Sequence, residues 1–222
     1  MLGIIGGTAL LDAKLPPLEK KTAPTPYGPV EIHLGKIAFI PRHQYNRPPH
    51  KVNHKAHLAA LKLAGVDRLI IIGSTGSMKE TLPTGSLVII NDWFSPWNIP
   101  TFHDAEICHT GAKVDAELTA RLAEIVPEAR FGTYFQTNGP RFETRAEIAC
   151  FAKDTDVVGM TAASELTLAA ELGIPAAALC TVDNFANGIT DHEPTYEEII
   201  TVAKQNGKKI TGILTKILET FA

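Results

Sequence analysis

Cysteine is scarce in this sequence, and no two cysteines stand close together. The chain has three among 222 residues, Cys108, Cys150 and Cys180, with no C-x-x-C pair. A disulfide framework is therefore excluded, and the thiols read as small buried hydrophobes in a reduced, intracellular setting. Long apolar runs are also missing; none approaches the roughly 18 residues of a membrane span. The first apolar stretch stops at Gly6 with no basic segment before it, so no secretory signal is expected and the cytoplasm is the default. Positive charge is not in surplus: the formal net charge is −3, and Lys20-Lys21 and Lys208-Lys209 are short, distant pairs. That balance argues against a nucleic-acid partner. Three signatures of nucleotide and metal chemistry are absent as well. There is no G-x-G-x-x-G, no P-loop lysine and no H-E-x-x-H. No internal repeat or low-complexity tract interrupts the chain.

What remains is an ordinary globular composition, 45% hydrophobic and 20% charged, in a chain long enough for one large α/β domain or two small ones. Short β-rich apolar runs fall at 2–5, 30–34, 36–40, 67–72, 86–91, 131–136, 155–160 and 176–182. The second and third predict a hairpin around Gly35. Helical spacing falls between the runs at 53–64, 115–125, 144–153, 164–172 and 196–221, with Gly207 a candidate break in the last. Strand and helix alternate, which predicts a doubly wound mixed sheet. Residues 92–111 carry Pro96, Pro100 and two tryptophans without periodicity, and read as a long functional or interfacial loop.

In open α/β sheets ligands sit off the carboxyl ends of strands. Gly6-Gly7-Thr8 follows the first strand, and its glycines let backbone N–H groups approach an anion while the hydroxyl adds a donor. Arg42-His43 follows another strand and offers a planar fork beside an imidazole that can donate a further bond. Gly73-Ser74-Thr75-Gly76-Ser77 follows the most apolar strand. Each segment alone could be a plain turn or a solvated surface; together they describe a phosphate site assembled from several segments. Phe142-Glu143 offers a ring to stack on a heterocycle and a carboxylate to accept from its N–H edge. Asn184 presents an acceptor and a donor side by side, as a purine edge requires. Met160 suits an apolar wall and Thr161 a further phosphate donor. His50, His54 and His57 cluster at one helix start, but no acid stands beside them in a metal-binding pattern.

These strings, in this order, resemble the trimeric purine nucleoside phosphorylases and methylthioadenosine phosphorylases. The matching segments are GIIGGT, PRH, PPHKVNHKA, GSTGSMKETLPTGSLVIINDW, GPRFETRAE and VVGMTAASE, spread over nearly the whole chain. The likeness is greatest to the methylthioinosine phosphorylases. It implies a single domain over residues 1–222, an α/β fold with a mixed, partly barrel-like sheet flanked by helices, and phosphorolysis of a purine nucleoside to base and sugar 1-phosphate. Inorganic phosphate would be co-substrate, with no cofactor, metal, nucleic acid or membrane, in a cytoplasmic homotrimer or hexamer.

Carried over by position, Thr8, Arg42, His43, Ser74 and Thr161 hold phosphate, and Met160 lines the ribose. Phe142, Glu143, Asn184 and Ala186 face the base. Tyr196 and Ile199 meet the 5′ end, and His109 resembles a residue lent by a neighbouring subunit. Asn184, Glu143 and His43 are the expected catalytic groups. A Glu143/Asn184 pair is the 6-oxopurine type, because a carboxylate accepts from the N1–H of hypoxanthine and repels the bare N1 of adenine. A register one residue earlier would put Asp183 in place of Asn184. Tyr196 stands where inosine-type enzymes keep a histidine, which leans toward an apolar 5′ substituent. The implied substrate is 5′-methylthioinosine; the alternatives are methylthioadenosine, or inosine and guanosine. Beyond the resemblance, a nucleoside hydrolase and a nonenzymatic nucleoside sensor are rival readings. The chain departs from relatives in being shorter, in Asn138, and in Ala162-Ala163-Ser164, where Thr-Val-Pro is usual.

Overall fold

The computed structural model describes residues 1–10, 13–192 and 195–221. Its elements run β1 (Leu2–Gly6), β2 (Glu19–Ala23), β3 (Val30–Leu34), β4 (Ala38–Pro41), α1 (His54–Leu63), β5 (Arg68–Ser77), β6 (Leu87–Phe94), α2 (Ala116–Ile125), β7 (Arg130–Gln136), α3 (Arg145–Phe151), β8 (Val157–Gly159), α4 (Ala162–Glu171), β9 (Ala176–Phe185) and α5 (Tyr196–Phe221). The nine strands form one sheet ordered β2-β3-β4-β1-β5-β8-β7-β6-β9, and β9 pairs back onto β5. Strands β5, β8, β7, β6 and β9 therefore close into a barrel, while β1 to β4 extend from it through β1 and β5. The doubly wound open sheet expected from alternation alone is corrected on this point; the partly barrel-like sheet implied by the resemblance is what the chain forms. Closure pairs the outer side of β9 with β5 and leaves β2 as the free edge of the sheet.

Strand alternation separates two apolar layers. Ile5, Ile71, Val88, Ile90 and Ala178 pack toward α1 and α4, and Ile4, Ile70, Ile72, Ile89 and Leu179 toward α2 and α5. Helix starts are set by side-chain caps one residue before the first helical turn. The Asn53 carboxamide accepts from the Ala56 N–H at 3.0 Å, and the Asp115 carboxylate from Leu118 at 2.9 Å. Thr144 and Glu147 form a reciprocal box at α3.

Several expected boundaries move, each for a local reason. Residues 73–77 stay in β5 rather than forming a loop, because β9 pairs with them from Gly73↔Cys180 to Ser77↔Phe185 across a bulge at Thr75/Gly76. Residues 183–185 stay in β9 for the same reason. Strand β2 lacks an apolar pattern because its lysines and glutamate lie exposed on the sheet edge. Helix α5 runs unbroken through Gly207, which is buried in its packed face. Helix α4 starts at Ala162, two residues earlier than its spacing suggests. Of the cysteines only Cys180 is buried; Cys108 and Cys150 are exposed, contrary to the reading of all three as buried. Among the described residues no helix is long and apolar enough to cross a membrane.

Candidate active site

The carboxyl ends of β1, β4, β5 and β9 and the starts of α4 and α5 converge on one cleft of about 910 Å³, a volume that includes its mouth open to solvent. Thr8, Arg42, His43, Ser74 and Thr161 line it, and so do Phe142, Glu143, Met160, Asn184, Ala186, Tyr196 and Ile199. His109 lies elsewhere in the same chain, in a separate cleft beside Trp93, Ile99 and Cys108.

At one end stands Arg42, held by the protein from several sides. Its backbone N–H donates to the Gly6 carbonyl at 2.8 Å, pinning the β4 end to β1. Its Nε and Nη2 each donate to one oxygen of Glu165 at 2.7 Å, and Nη1 donates to the Ile72 carbonyl at 3.0 Å. Three of the five guanidinium hydrogens are thus committed, leaving two for a ligand. Burial alone would raise the Glu165 carboxyl, but the charge and hydrogen bonds of Arg42 outweigh it and hold Glu165 down at about 2. The pair is ionised throughout the physiological range.

His43 has its orientation set by Nδ1, 2.9 Å from the Arg47 carbonyl. A carbonyl only accepts, so Nδ1 carries the proton and Nε2 of the neutral ring is an acceptor. Burial first, then the Arg42 charge, push its pKa down. The sequence suggests a donor here; the fixed tautomer makes Nε2 of His43 an acceptor for a ligand hydroxyl instead. Gly7 keeps the space beside both groups open. A Cβ on it would stand 3.0 Å from Arg42 Nη1 and 2.9 Å from His43 Cδ2.

Thr161 precedes the first turn of α4, and its own side chain makes no capping bond. The Tyr134 hydroxyl accepts from the N–H groups of Thr161 and Ala162 at 3.2 and 3.3 Å. Gln136 accepts from the Ser164 N–H at 3.1 Å and donates to its hydroxyl at 2.6 Å. A proline at 164 would lack that N–H, so the departure from the usual Thr-Val-Pro has a local structural use. Ser74 also lines the cleft, but its hydroxyl donates to Asp183. Asp183 is further held by Asn206 of α5 at 2.8 Å. The Ser74 oxygen therefore faces ligands as an acceptor, not as the phosphate donor the sequence suggested. Asp183 and Asn184 alternate on β9; Asn184 lines the cleft and Asp183 does not.

The other end is assembled differently. Phe142 is 42% exposed and is not the core residue it could have been. Glu143 is buried; Thr137 Oγ1 donates to its Oε1 at 2.5 Å, and Asn187 holds its backbone carbonyl at 2.8 Å. Burial raises the Glu143 pKa and the Thr137 bond offsets part of that rise. Asn184 gives one amide hydrogen to the Phe185 carbonyl at 2.8 Å, leaving a second hydrogen and its oxygen unspent. Gly76 makes room for that amide, since a Cβ there would sit 3.1 Å from Asn184 Nδ2. Tyr196, Ile199 and Ile200 of α5 close this region with largely apolar surface.

Sequence reasoning missed Glu165, Thr137, Tyr134, Gln136 and Ile200, and took Gly76 for a backbone donor rather than for the space it leaves beside Asn184. Glu165 carried a usable signal: an acid within Ala-Ala-Ser-Glu-Leu, on the apolar face of a helix, needs a buried cation. The others act through tertiary contacts. Among the described residues, no group of three or more histidine, cysteine or acidic side chains could hold a metal ion. His54 and His57 stand beside the Arg42–Glu165 pair, and His50 lies exposed in a separate 3₁₀ turn.

Residues 1–219 match the family model of the phosphorylase superfamily. Over 99% of its length, and 96% of the relative's, the chain is 39% identical to a probable 6-oxopurine nucleoside phosphorylase of Archaeoglobus fulgidus. It is 36% identical to a probable S-methyl-5'-thioinosine phosphorylase of Methanocaldococcus jannaschii, covering 100% of this chain and 91% of that one. Among solved structures it resembles the methylthioadenosine phosphorylase of Schistosoma mansoni in complex with adenine. The TM-score is 0.87 at 23% identity, covering 99% of this chain and 91% of the other, a likeness of fold.

Proposed function

The chain belongs to the phosphorylase superfamily as a glycosyl-transferring enzyme of purine nucleosides, and from that premise we propose that its substrate is a 6-oxopurine nucleoside, 5′-methylthioinosine, cleaved by phosphate to hypoxanthine and 5-methylthioribose 1-phosphate. One observation carries the reading. Arg42 and the Glu143–Asn184 pair line a single cleft, so groups suited to an anion and to a planar base share one cavity.

Phosphate binds against the two remaining hydrogens of Arg42 and the Thr161 hydroxyl at the start of α4, with its own hydroxyl donating to His43 Nε2. The C1′–N9 bond breaks and its electron pair leaves with the purine. A phosphate oxygen forms the new bond to C1′. The proton count closes when the base takes up one proton and phosphate gives one up. The fixed donors hold the nucleophile at reacting distance, and that prior ordering lowers the barrier. Asn184 donates toward the purine as negative charge builds on it, and Glu143 accepts from N1–H. Phe142 stacks on the ring and Met160 packs beside the ribose. The Ser74 oxygen, an acceptor, suits a sugar hydroxyl. Ile199, Ile200 and Tyr196 favour a methylthio group over a 5′-hydroxyl. No step requires a cofactor.

The resemblance assigns His109 to the cleft of a neighbouring subunit, and its place outside this chain's own cleft is compatible with that assignment and with a homotrimer or a dimer of trimers. The exposed Phe94, Trp97 and Ile99 on the same stretch suit such a contact. The working compartment is the cytoplasm. The test is base release from methylthioinosine, inosine, guanosine and methylthioadenosine, each with and without phosphate. Methylthioinosine should give the highest kcat/KM, and only with phosphate. Release independent of phosphate would mean a hydrolase, and a preference for methylthioadenosine would overturn the 6-oxopurine assignment.

A further inference from the structure

The anion end of the cleft has a component that touches no ligand position. Glu165 has no solvent exposure and Arg42 only 3%. Their contact is side-on: Nε meets Oε1 and Nη2 meets Oε2, both at 2.7 Å. Two parallel bonds to one planar group fix its rotation as well as its position, which a single point charge does not. The third bond, Nη1 to the Ile72 carbonyl, closes the frame. Glu165 sits in the first turn of α4, and its N–H meets the Thr161 carbonyl at 3.4 Å. The same helical turn therefore carries Thr161, which lines the cleft, and the carboxylate that aims Arg42. Nδ1 of His54, on α1, lies 3.5 Å from the same Oε1 but makes no hydrogen bond, so the orientation of the carboxylate is tied to Arg42.

We propose that Glu165 is a positioning residue for the reaction: it sets the plane of the Arg42 guanidinium so that its two free hydrogens point at the phosphate, and couples that aim to the Thr161 turn. The inference rests on the phosphorolysis reading above. It differs from the plainer account in which Glu165 only neutralises a buried cation. The two accounts predict opposite signs. A mere counter-charge weakens the attraction of Arg42 for an anion, so removing it tightens phosphate binding. A positioning group strengthens binding despite its charge, so removing it loosens phosphate.

The test uses the full chain, with inorganic phosphate as the titrant in calorimetry, and steady-state KM for phosphate and for nucleoside measured separately. Glu165→Gln removes the charge and replaces one acceptor oxygen with a donor. Glu165→Asp keeps the charge and withdraws the carboxylate by one methylene. Both should raise the phosphate Kd by roughly 10–100-fold and lower kcat, while the nucleoside KM stays within about twofold. Tighter phosphate binding in Glu165→Gln would overturn the inference in favour of charge compensation. An unchanged Kd in a folded variant with a lowered Tm would overturn it in favour of packing alone. Should Glu165→Gln fail to fold, Glu165→Asp decides the matter, since it isolates geometry at constant charge. Wild-type chain is the internal control. If it binds no phosphate, the phosphorolysis reading falls and this inference falls with it. If it binds phosphate and both variants match it, only the role of Glu165 is lost.

Discussion

The two ends of the cleft are built to different standards. At the anion end, Arg42 and Glu165 are buried in the packing of β4, α1 and α4, and three of the five guanidinium hydrogens are satisfied before any ligand arrives. At the base end, Phe142 is 42% exposed, Tyr196 is 64% exposed, and the Glu143 carboxylate is steered by one threonine hydroxyl. The difference matches what each end is proposed to hold. Phosphate is small, charged and common to all substrates, so its site is part of the fold. The base and the 5′ group vary among nucleosides, and Phe142, Glu143 and Tyr196 lie on a loop and a helix start, with Asn184 at the end of β9. The anion end should therefore fail together with stability, and the base end should fail alone.

Arg42→Ala probes the first half and should have the largest effect. It leaves Glu165 buried with no cation, which costs about 3–5 kcal/mol of folding stability. Urea denaturation should show that loss, and phosphate-dependent base release should fall by roughly 10²–10³-fold or more. A variant of wild-type stability would break the comparison at its stronger end.

Glu143→Gln probes the second half. Glutamine still accepts from Thr137, so folding stability should change by less than about 1 kcal/mol. Base preference should change far more, because an amide can donate to the bare N1 of a 6-aminopurine where a carboxylate repels it. The kcat/KM ratio of methylthioinosine to methylthioadenosine should drop by roughly 10²-fold. An unaltered ratio would show that Glu143 does not read the base.

How much of this was legible beforehand follows the same division. The strand-end segments GIIGGT, PRH and GPRFETRAE declare themselves by local chemistry, and the cleft gathers them as expected. Asn53, Asp115 and Thr144 announce three helix starts, because capping is a property of a few adjacent residues. Barrel closure was not readable from alternation, since the pairing of β9 with both β5 and β6 is decided by residues far apart in sequence. Nor could sequence show that Ser74 gives its proton to Asp183, or that Arg47 fixes the His43 tautomer. Both facts reverse a donor into an acceptor, and both depend on which carboxylate or carbonyl the fold brings alongside.

The smallest effect is on pH dependence, and there the two ends should differ in sign. His57 is buried beside the anion end, with Nδ1 unpartnered. Burial first, then the charges of His54, Arg42 and Arg47 against the opposing Glu165, push its pKa from 6.5 to about 3. Between those values the unfolded chain binds a proton that the folded chain refuses, so stability falls as pH drops through the window, by up to about 1.4 kcal/mol per unit. Glu143 behaves oppositely. Burial raises its folded pKa, so just above pH 4.5 the folded chain holds a proton that the unfolded chain releases, and stability falls as pH rises. Urea midpoints from pH 7 to pH 5 should therefore slope less in His57→Leu than in wild type, the remainder coming from His43, whose pKa is also lowered. Just above pH 4.5, Glu143→Gln should slope more steeply toward acid than wild type, because the opposing contribution is gone. If the two variants shift the slope in the same direction, the protonation states assigned to the two ends are wrong.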